Sequence, residues 1–305
     1  MRSDVEFLAN GATLRGWLYV PDEGSGPFPC VVMAHGFSAV KEQTLPQLAD
    51  VFVEAGLACL LYDHRCLGES DGEPRQDIDP IAQARDFRDA IAFAQSREEV
   101  DEEQIGLWGT SYSGAEVLMV AAVDRRVKAV VSQVPLISGL RNTRRLLPEQ
   151  AFPGLREQLD AERAARLQGA EPALIKVASD DPNEPHAFPG MRTFNYFTHA
   201  AAAERWRNEC TVRSLDYLLE LDVSGYLPLI SPTPLLMLVG NTDTSTPNDE
   251  AIAAFSMAHE PKKLIVLPGD HYGSYIEDFE LSSTAARDFF LEHLGARSPR
   301  SLSAA

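Results

Sequence analysis

Ser111 lies in a pattern that is typical of a catalytic nucleophile. The segment around it has the form Gly-x-Ser-x-Gly and is Gly109-Thr110-Ser111-Tyr112-Ser113-Gly114. In this motif the serine occupies a sharp turn between a buried strand and a helix, so its hydroxyl projects from strained backbone. Residues 105–109 are apolar enough to form such a strand, and the residues after Ser111 have a helical pattern. The alternative is a glycine-rich turn whose serine caps the helix.

A neutral serine is a weak nucleophile, so it needs a general base within hydrogen-bond reach, and imidazole is suited to that role. His271 lies in a loop between the predicted last strand, residues 263–267, and the closing helix, and it is the predicted base. We expect the six other histidines to be surface or structural residues: His35, His64, His186, His199, His259 and His293.

The base in turn needs a carboxylate that holds its tautomer and stabilises the imidazolium. Asp243 follows the predicted strand of residues 234–239, which gives the chain order serine, aspartate, histidine. Two other aspartates are weaker candidates. Asp270 is adjacent to His271, and adjacent side chains in an extended loop usually diverge, while Asp249 belongs to the following helix. The alternative for Asp243 itself is a residue that caps a turn.

Acyl chemistry also requires backbone N–H groups aimed at the oxyanion of a tetrahedral intermediate. The candidate donors are Tyr112, directly after the nucleophile, and Phe37, which follows the dipeptide His35-Gly36. That dipeptide comes directly after the predicted strand of residues 30–34. It therefore lies at the carboxyl edge of the sheet, beside the nucleophile.

The elements that must position these residues alternate between strands and helices along the first half of the chain. Asn10-Gly11 is a strong hairpin signal between the first two strand candidates. The predicted elements up to Pro135 are strands at 5–8, 14–20, 30–34, 57–62, 105–109 and 127–134, with helices at 45–55, 80–95 and 111–122. This pattern predicts an α/β protein with a mostly parallel, doubly wound sheet.

After Pro135 the alternation stops for nearly ninety positions, and it then resumes with strands at 234–239 and 263–267 and helices at 249–258 and 276–294. A structureless loop of that length is improbable, so the interruption predicts an inserted, mainly helical cap. The predicted organisation is a core of residues 1–137 and 226–295, a cap of residues 138–225, and a frayed tail of residues 296–305.

Together these residues resemble the α/β-hydrolase superfamily of serine hydrolases, and the resemblance covers the core on both sides of the cap. Two stretches, residues 35–42 and 62–72, are similar to dienelactone-hydrolase-like and acyl-peptidase-like esterases and to thioesterase-like hydrolases of polyketide pathways. Ser111 departs from dienelactone hydrolases, which carry cysteine there, and Cys66 stands where glycine is common. The resemblance implies that three residues brace the oxyanion turn: Asp63, Arg65 and Ser70.

Composition and charge limit the partners. The chain is 45% hydrophobic and 24% charged, with no apolar run long enough to cross a bilayer. The 27 basic and 45 acidic residues give a net charge of −18, which repels nucleic acid and anionic membrane surfaces. The first residues lack a secretory-signal pattern, and the four cysteines lack metal-ligand spacing. We therefore expect a cytoplasmic protein with reduced thiols and no nucleic-acid or membrane partner.

The predicted reaction is hydrolysis of an ester, lactone or thioester of a small organic molecule through an acyl-enzyme on Ser111, without a metal or organic cofactor. The cap would supply an apolar substrate pocket from Phe188, Met191, Phe194, Tyr196 and Phe197, unless these side chains only pack the cap. The same triad also allows an acyltransferase, a carbon–carbon bond hydrolase or an aminopeptidase. A non-catalytic ligand-binding protein is a further alternative, and the sequence leaves open whether the chain forms a homo-oligomer.

Overall fold

The computed structural model describes residues 1–295, so the predicted tail, residues 296–305, lies outside the described residues. Its centre is an eight-stranded sheet in the order β1-β2-β4-β3-β5-β6-β9-β10. These strands are β1 (Arg2–Ala9), β2 (Ala12–Tyr19), β3 (Phe28–Ala34), β4 (Ala58–Tyr62), β5 (Val100–Thr110), β6 (Val127–Gln133), β9 (Leu235–Gly240) and β10 (Lys262–Leu267). The pairs β1/β2 and β2/β4 are antiparallel, and the other pairs are parallel.

Helices cover both faces of this sheet, as predicted for a doubly wound protein. The helices outside the inserted region are α1 (Leu45–Glu54), α2 (Pro80–Gln95), α3 (Ser111–Val123), α9 (Asn248–Met257) and α10 (Phe279–Leu294). One face packs against α2 and α3, for example through Phe87 and Leu118, and the other against α1 and α10 through Phe52 and Phe290. The central strands are buried on both faces, which explains their continuous apolar sequences.

Between β6 and β9 the chain leaves the sheet and forms mainly helices over its carboxyl edge. These are α4 (Gly139–Leu146), α5 (Phe152–Leu167), α6 (Met191–Asn195) and α7 (Val212–Glu220), joined by short 3-10 and π turns. α8 (Leu227–Ile230) follows them and returns the chain to β9 beside the end of α3. Two short strands that the sequence analysis did not predict, β7 (Leu174–Ile175) and β8 (Cys210–Thr211), pair antiparallel to each other in this region. We use the word cap for residues 138–225.

Several predicted boundaries differ from the structure, and two of these differences have a clear local reason. The strand predicted from residue 105 starts at Val100, because Val100 pairs with Phe28 across a register shift although an acidic segment follows it. The closing helix predicted from residue 276 starts at Phe279, after a 3-10 turn. The side chain of Asp278, directly before this helix, accepts a hydrogen bond from Gly269 N–H at 2.7 Å. Asp278 therefore stabilises the loop that follows β10.

The cysteines and the helices agree with two further expectations. All four cysteines are buried free thiols: Cys30, Cys59, Cys66 and Cys210. Within residues 1–295, no helix combines the length and the apolar composition needed to cross a bilayer.

Candidate active site

Ser111 stands at the tip of the turn between β5 and α3. Its φ of +56° lies in the left-handed region, which residues other than glycine rarely adopt. A Cβ at Gly109 would collide with the carbonyl oxygen of Ser113, so only glycine fits there. The Ser113 hydroxyl accepts from Thr110 N–H at 2.9 Å and donates to the Ala34 carbonyl oxygen at 2.9 Å. The turn is therefore fixed to β3 and holds Ser111 at the carboxyl edge of the sheet.

His271 and Asp243 form a buried pair on the loops that follow β10 and β9. His271 Nδ1 lies 2.8 Å from Asp243 Oδ2. The other carboxylate oxygen, Oδ1, accepts from the N–H groups of Ser245 and Thr246, each at 2.8 Å. Asp243 therefore caps a turn and also contacts the imidazole. The two alternative roles predicted for this residue are compatible. With its proton on Nδ1, His271 has Nε2 available to accept a proton.

Thr246 is a site residue that the sequence analysis did not identify. Its hydroxyl lies 3.0 Å from His271 Nδ1 and 2.9 Å from Asp243 Oδ2. It also lies 2.9 Å from the carbonyl oxygen of Val134, at the end of β6. Thr246 thus connects the acid, the base and the sheet. Its position three residues after an aspartate in a turn is the only signal that the sequence offered.

The two competing aspartates have other partners. Asp270 pairs with Arg192 Nε at 3.1 Å and accepts from Gly273 N–H at 2.7 Å. Asp249 pairs with both terminal nitrogens of Arg145 at 2.6 Å. Asp243 is therefore the carboxylate that contacts the His271 ring.

The loop after β3 presses directly against the nucleophile. A Cβ at Gly36 would lie 3.0 Å from Ser111 Cβ and 3.0 Å from the Thr110 carbonyl oxygen, so the close approach requires glycine. Phe37 and Tyr112 both line the same cavity as Ser111, and their rings meet edge to face with centroids 5.2 Å apart. The residues of the two predicted oxyanion donors therefore lie next to each other on the cavity that Ser111 lines. Their role as donors stays a prediction.

A buried ion pair braces that loop. Asp63 Oδ1 accepts from Lys41 N–H, and Asp63 Oδ2 lies 2.7 Å from Lys41 Nζ. Ser70 Oγ donates to the Asp63 carbonyl oxygen at 2.6 Å. Two of the three implied bracing residues therefore do contact this network, but Arg65 instead pairs with Asp86 on α2. The sequence analysis missed Lys41, which is fully buried.

The backbone conformation explains why glycine is expected at the position that Cys66 occupies. Cys66 has a φ of +67°, in the region that glycine adopts most readily. The glycine that the resemblance implies at this position would adopt this φ without strain, whereas Cys66 adopts it at a cost in backbone energy.

Ser111 and His271 line one cavity of about 70 Å³ between the core and the cap. Three of the predicted cap residues line it as well: Phe188, Tyr196 and Phe197. The other two predictions do not fit this cavity. Met191 begins the short helix α6 with its side chain exposed, and Phe194 packs against His199. The lining residues that were not predicted include Asn142, Leu146, Thr193, Leu218 and Tyr275.

His35 is a second histidine on the cavity wall, but it is a poor base. Its Nδ1 accepts from Gly36 N–H at 2.8 Å. Burial, together with the nearby imidazoles of His64 and His271, lowers the pKa of His35 to about 3. His35 is therefore neutral, and its role is to shape the loop after β3.

Comparison with known proteins gives consistent matches. The family model described as X-Pro dipeptidyl-peptidase (S15 family) matches residues 10–273. A polyketide transferase from Penicillium sp. is 36% identical over 299 residues, covering 96% of this chain and 97% of that protein. A thiohydrolase from Aspergillus aculeatus is 35% identical over 269 residues, covering 86% and 83% of the two chains.

A solved structure extends these matches to the fold. The crystal structure of an α/β hydrolase from Penicillium sp. sh18 superposes with a TM-score of 0.85 at 33% identity, and covers 97% of this chain and 100% of that one. The predicted α/β-hydrolase fold is thereby confirmed. The thiohydrolase and transferase relatives also support a role in hydrolysis or acyl transfer.

Proposed function

We propose, because the chain belongs to the X-Pro dipeptidyl-peptidase (S15) family of α/β-hydrolases, that it is a serine thioesterase. It would cleave the thioester of a small organic acid through an acyl-enzyme on Ser111. The observation that carries this proposal is that Ser111 and His271 line one cavity while Asp243 holds His271 from behind at 2.8 Å. The choice of a thioester over an ester or lactone rests on relatives named thiohydrolase and polyketide transferase.

The geometry suggests the following cycle. Ser111 Oγ attacks the thioester carbonyl while His271 Nε2 takes its proton, and Asp243 stabilises the imidazolium. The N–H groups of Phe37 and Tyr112 stabilise the oxyanion. Collapse breaks the carbon–sulfur bond, and His271 returns the proton to the leaving thiolate. Water then attacks the acyl-enzyme, again with His271 as base, which releases the carboxylic acid and restores the serine.

The cavity disfavours a dipeptidyl-peptidase activity, despite the name of the family model. Such a substrate carries a free ammonium group, which a buried site must pair with an acceptor of negative charge. Among the described residues, no aspartate or glutamate lines the cavity. Its titratable wall residues are His35, His271 and the tyrosines Tyr112, Tyr196, Tyr272 and Tyr275.

Acyl transfer to an acceptor other than water is the second candidate, since the Penicillium relative is named a polyketide transferase. The two functions share the acyl-enzyme and differ only in what attacks it. They can be separated by adding an amine or alcohol and measuring whether an amide or ester replaces the free acid as product.

The test uses an octanoyl thioester of N-acetylcysteamine, with release of the thiol as readout. Ser111→Ala should reduce kcat/KM by about 10³-fold or more, because it removes the nucleophile. Ser256→Ala, which changes an exposed serine on α9, is the matched control and should retain full activity. A fluorophosphonate should label Ser111 in the native chain. Equal turnover by Ser111→Ala and the native chain would exclude this mechanism.

A further inference from the structure

A second cavity lies inside the cap, next to the catalytic one, and we call it the cap chamber. Its volume is about 260 Å³, against about 70 Å³ for the catalytic cavity. The two cavities share part of their walls, namely Asn142, Leu146, Phe188, Pro189 and Leu218. Phe188 stands at this junction, where its ring meets Phe37 of the oxyanion loop with centroids 4.9 Å apart. The chamber therefore adjoins the catalytic cavity at this junction.

The walls of the cap chamber indicate the chemistry of its occupant. Beyond the junction they come from α4, α5 and α7 and are mainly aliphatic, including Leu147, Leu155, Leu215 and Leu219. Within residues 1–295, no lysine, arginine, aspartate or glutamate lines the chamber. His186 is on the wall, and its Nδ1 already contacts the Glu184 carbonyl oxygen at 2.7 Å. A charged group would thus lose hydration without gaining a partner.

We propose, on the basis of the proposed function, that the cap chamber holds the distal part of a long, mainly apolar acyl group whose thioester carbonyl lies at Ser111. The catalytic cavity has only about a quarter of the chamber's volume, so it accommodates the atoms near the carbonyl while the remainder extends past Phe188. Burial of each additional methylene in the chamber strengthens binding.

The junction also contains a polar atom without a partner. Asn142 is buried on α4, and its Nδ2 donates to the Ser245 carbonyl oxygen at 2.9 Å, which fixes the orientation of the amide. In the described part of the chain, its Oδ1 has no hydrogen-bond partner. A buried acceptor without a donor is unfavourable. From this unpaired acceptor we infer that the acyl group carries a hydroxyl that donates to Asn142 Oδ1 as the chain passes the junction.

The dependence of kcat/KM on the length of the acyl group tests whether the cap chamber binds it. In the native protein, kcat/KM should rise from butanoyl to octanoyl to dodecanoyl thioesters, by up to about fourfold per methylene that enters the chamber. Leu155→Trp enlarges a half-buried side chain of the chamber wall at a residue that does not line the catalytic cavity. It should lower the dodecanoyl-to-butanoyl ratio at least about fivefold. Ala164→Trp, on an exposed position of α5, is the matched control and should keep the native ratio.

A crystal structure of Ser111→Ala with the dodecanoyl thioester gives a second readout that needs no turnover. The acyl chain should occupy the space between Leu155 and Leu219. An acyl chain seen outside the chamber, or an equal ratio in the native protein and Leu155→Trp, would overturn the chamber proposal. Thioester turnover that depends on Ser111 would then still stand. Absent turnover for every chain length would instead contradict the proposed function itself.

The proposed hydroxyl is tested by comparing kcat/KM for acyl thioesters with and without a hydroxyl group. We expect one of the 3-hydroxy, 5-hydroxy or 7-hydroxydodecanoyl thioesters to exceed dodecanoyl in kcat/KM by about fivefold, the value of one hydrogen bond. Asn142→Leu should bring that ratio to near one. The variant also removes the bond to Ser245, but this loss affects both substrates alike. A ratio that Asn142→Leu leaves unchanged, or no preference in the native chain, would exclude the role of Asn142.

Discussion

His35 and His271 both line the catalytic cavity, and their surroundings assign them different roles. His271 has a carboxylate at 2.8 Å from Nδ1, which favours the imidazolium that forms during acyl transfer. His35 uses Nδ1 to accept from the adjacent Gly36 N–H, and its Nε2 lies 3.4 Å from the Tyr196 hydroxyl. Protonation of His35 would break the first of these contacts. These surroundings are the reason why the proposed cycle uses His271, and not His35, as its general base.

Glu116 is a carboxyl group in the core that makes no hydrogen bond within the described part of the chain. It is fully buried on α3, neither of its carboxyl oxygens has a hydrogen-bond partner, and Oε2 lies 3.5 Å from His64 Nε2. Burial, followed by the charges of Asp86 and Asp79, raises the pKa of Glu116 well above 4.5. Glu116 is accordingly protonated in the folded state.

This burial makes stability depend on pH. The folded state keeps the Glu116 proton where the unfolded state has lost it, so the free energy of unfolding falls as pH rises above 4.5, by up to about 1.4 kcal/mol per pH unit, until the folded pKa is passed. Glu116→Gln keeps the shape without titrating and should flatten this part of the profile. Urea unfolding between pH 5 and pH 8 measures it, with the exposed Glu171→Gln as control. Parallel profiles for the native chain and Glu116→Gln would contradict the prediction.

At the residue scale, the sequence allowed the candidate catalytic side chains to be identified, because each of them closely follows a predicted strand. Ser111, Asp243 and His271 each follow a strand and meet at one edge because parallel strands share their carboxyl ends. Lys41 and Asn142 could not be found in this way. Their partners, Asp63 and Ser245, are 22 and 103 positions away, and only the folded backbone brings them together.

At the scale of elements, residues 190–206 of the cap cross the catalytic cavity and touch both of its sides, and we call them the strap. On one side Thr193 Oγ1 accepts from the Tyr272 hydroxyl at 3.0 Å, next to His271. On the other side Tyr196 contacts His35, and Trp206 Nε1 donates to Ser38 Oγ at 3.3 Å. The strap therefore forms a wall of the cavity that depends on contacts with both catalytic loops.

Arg192 fastens one end of the strap, with Nε at 3.1 Å from Asp270 and Nη2 at 2.8 Å from Glu277. These groups are partly exposed, so the ion pairs contribute only about 0.2–1 kcal/mol to stability. Arg192→Ala should leave Tm within a few degrees of the native value while KM rises about threefold to tenfold with kcat little changed, since ground-state binding is weakened. Steady-state kinetics on the octanoyl thioester measures this.

Two controls make that prediction specific to the strap. Arg97→Ala removes a comparable surface pair with Glu99, at the far end of the sheet, and should leave KM unchanged. Arg192→Lys keeps the charge but cannot reach both carboxylates in the same way, so it should give an intermediate KM. A native KM for Arg192→Ala, or a fall confined to kcat, would show that Arg192 does not hold the cavity wall.

Elements of the core could be predicted because their periodicity reflects burial in one large sheet. α2, Pro80–Gln95, has the predicted bounds, and in the structure the side chain of Asp79 caps its start. The short cap elements could not be predicted. β7 and β8 have two residues each and α6 has five, too few for any period to show, and long-range contacts such as Val212 N–H to the Ala173 carbonyl oxygen determine them.

At the scale of the whole molecule, the net charge of −18 should influence which thiol carrier delivers the acyl group. A coenzyme A thioester is a polyanion, whereas an N-acetylcysteamine thioester is neutral. The field of the protein therefore slows association with the first and leaves the second unaffected. We expect kcat/KM for the octanoyl coenzyme A thioester to be the lower of the two at low salt, and to approach the neutral substrate as salt screens the field.

The measurement is kcat/KM for both octanoyl thioesters at ionic strengths from about 0.01 M to about 0.5 M, over which the Debye length falls from about 30 Å to less than 10 Å. The ratio of neutral to anionic substrate should decrease severalfold, and kcat/KM of the neutral substrate should stay constant, which makes it the internal control. A ratio that does not change with salt would mean that local groups at the cavity entrance, rather than the total charge, govern the approach of the substrate. A coenzyme A thioester preferred at low salt would contradict the prediction outright, because it would require a cationic site that overcomes the net charge.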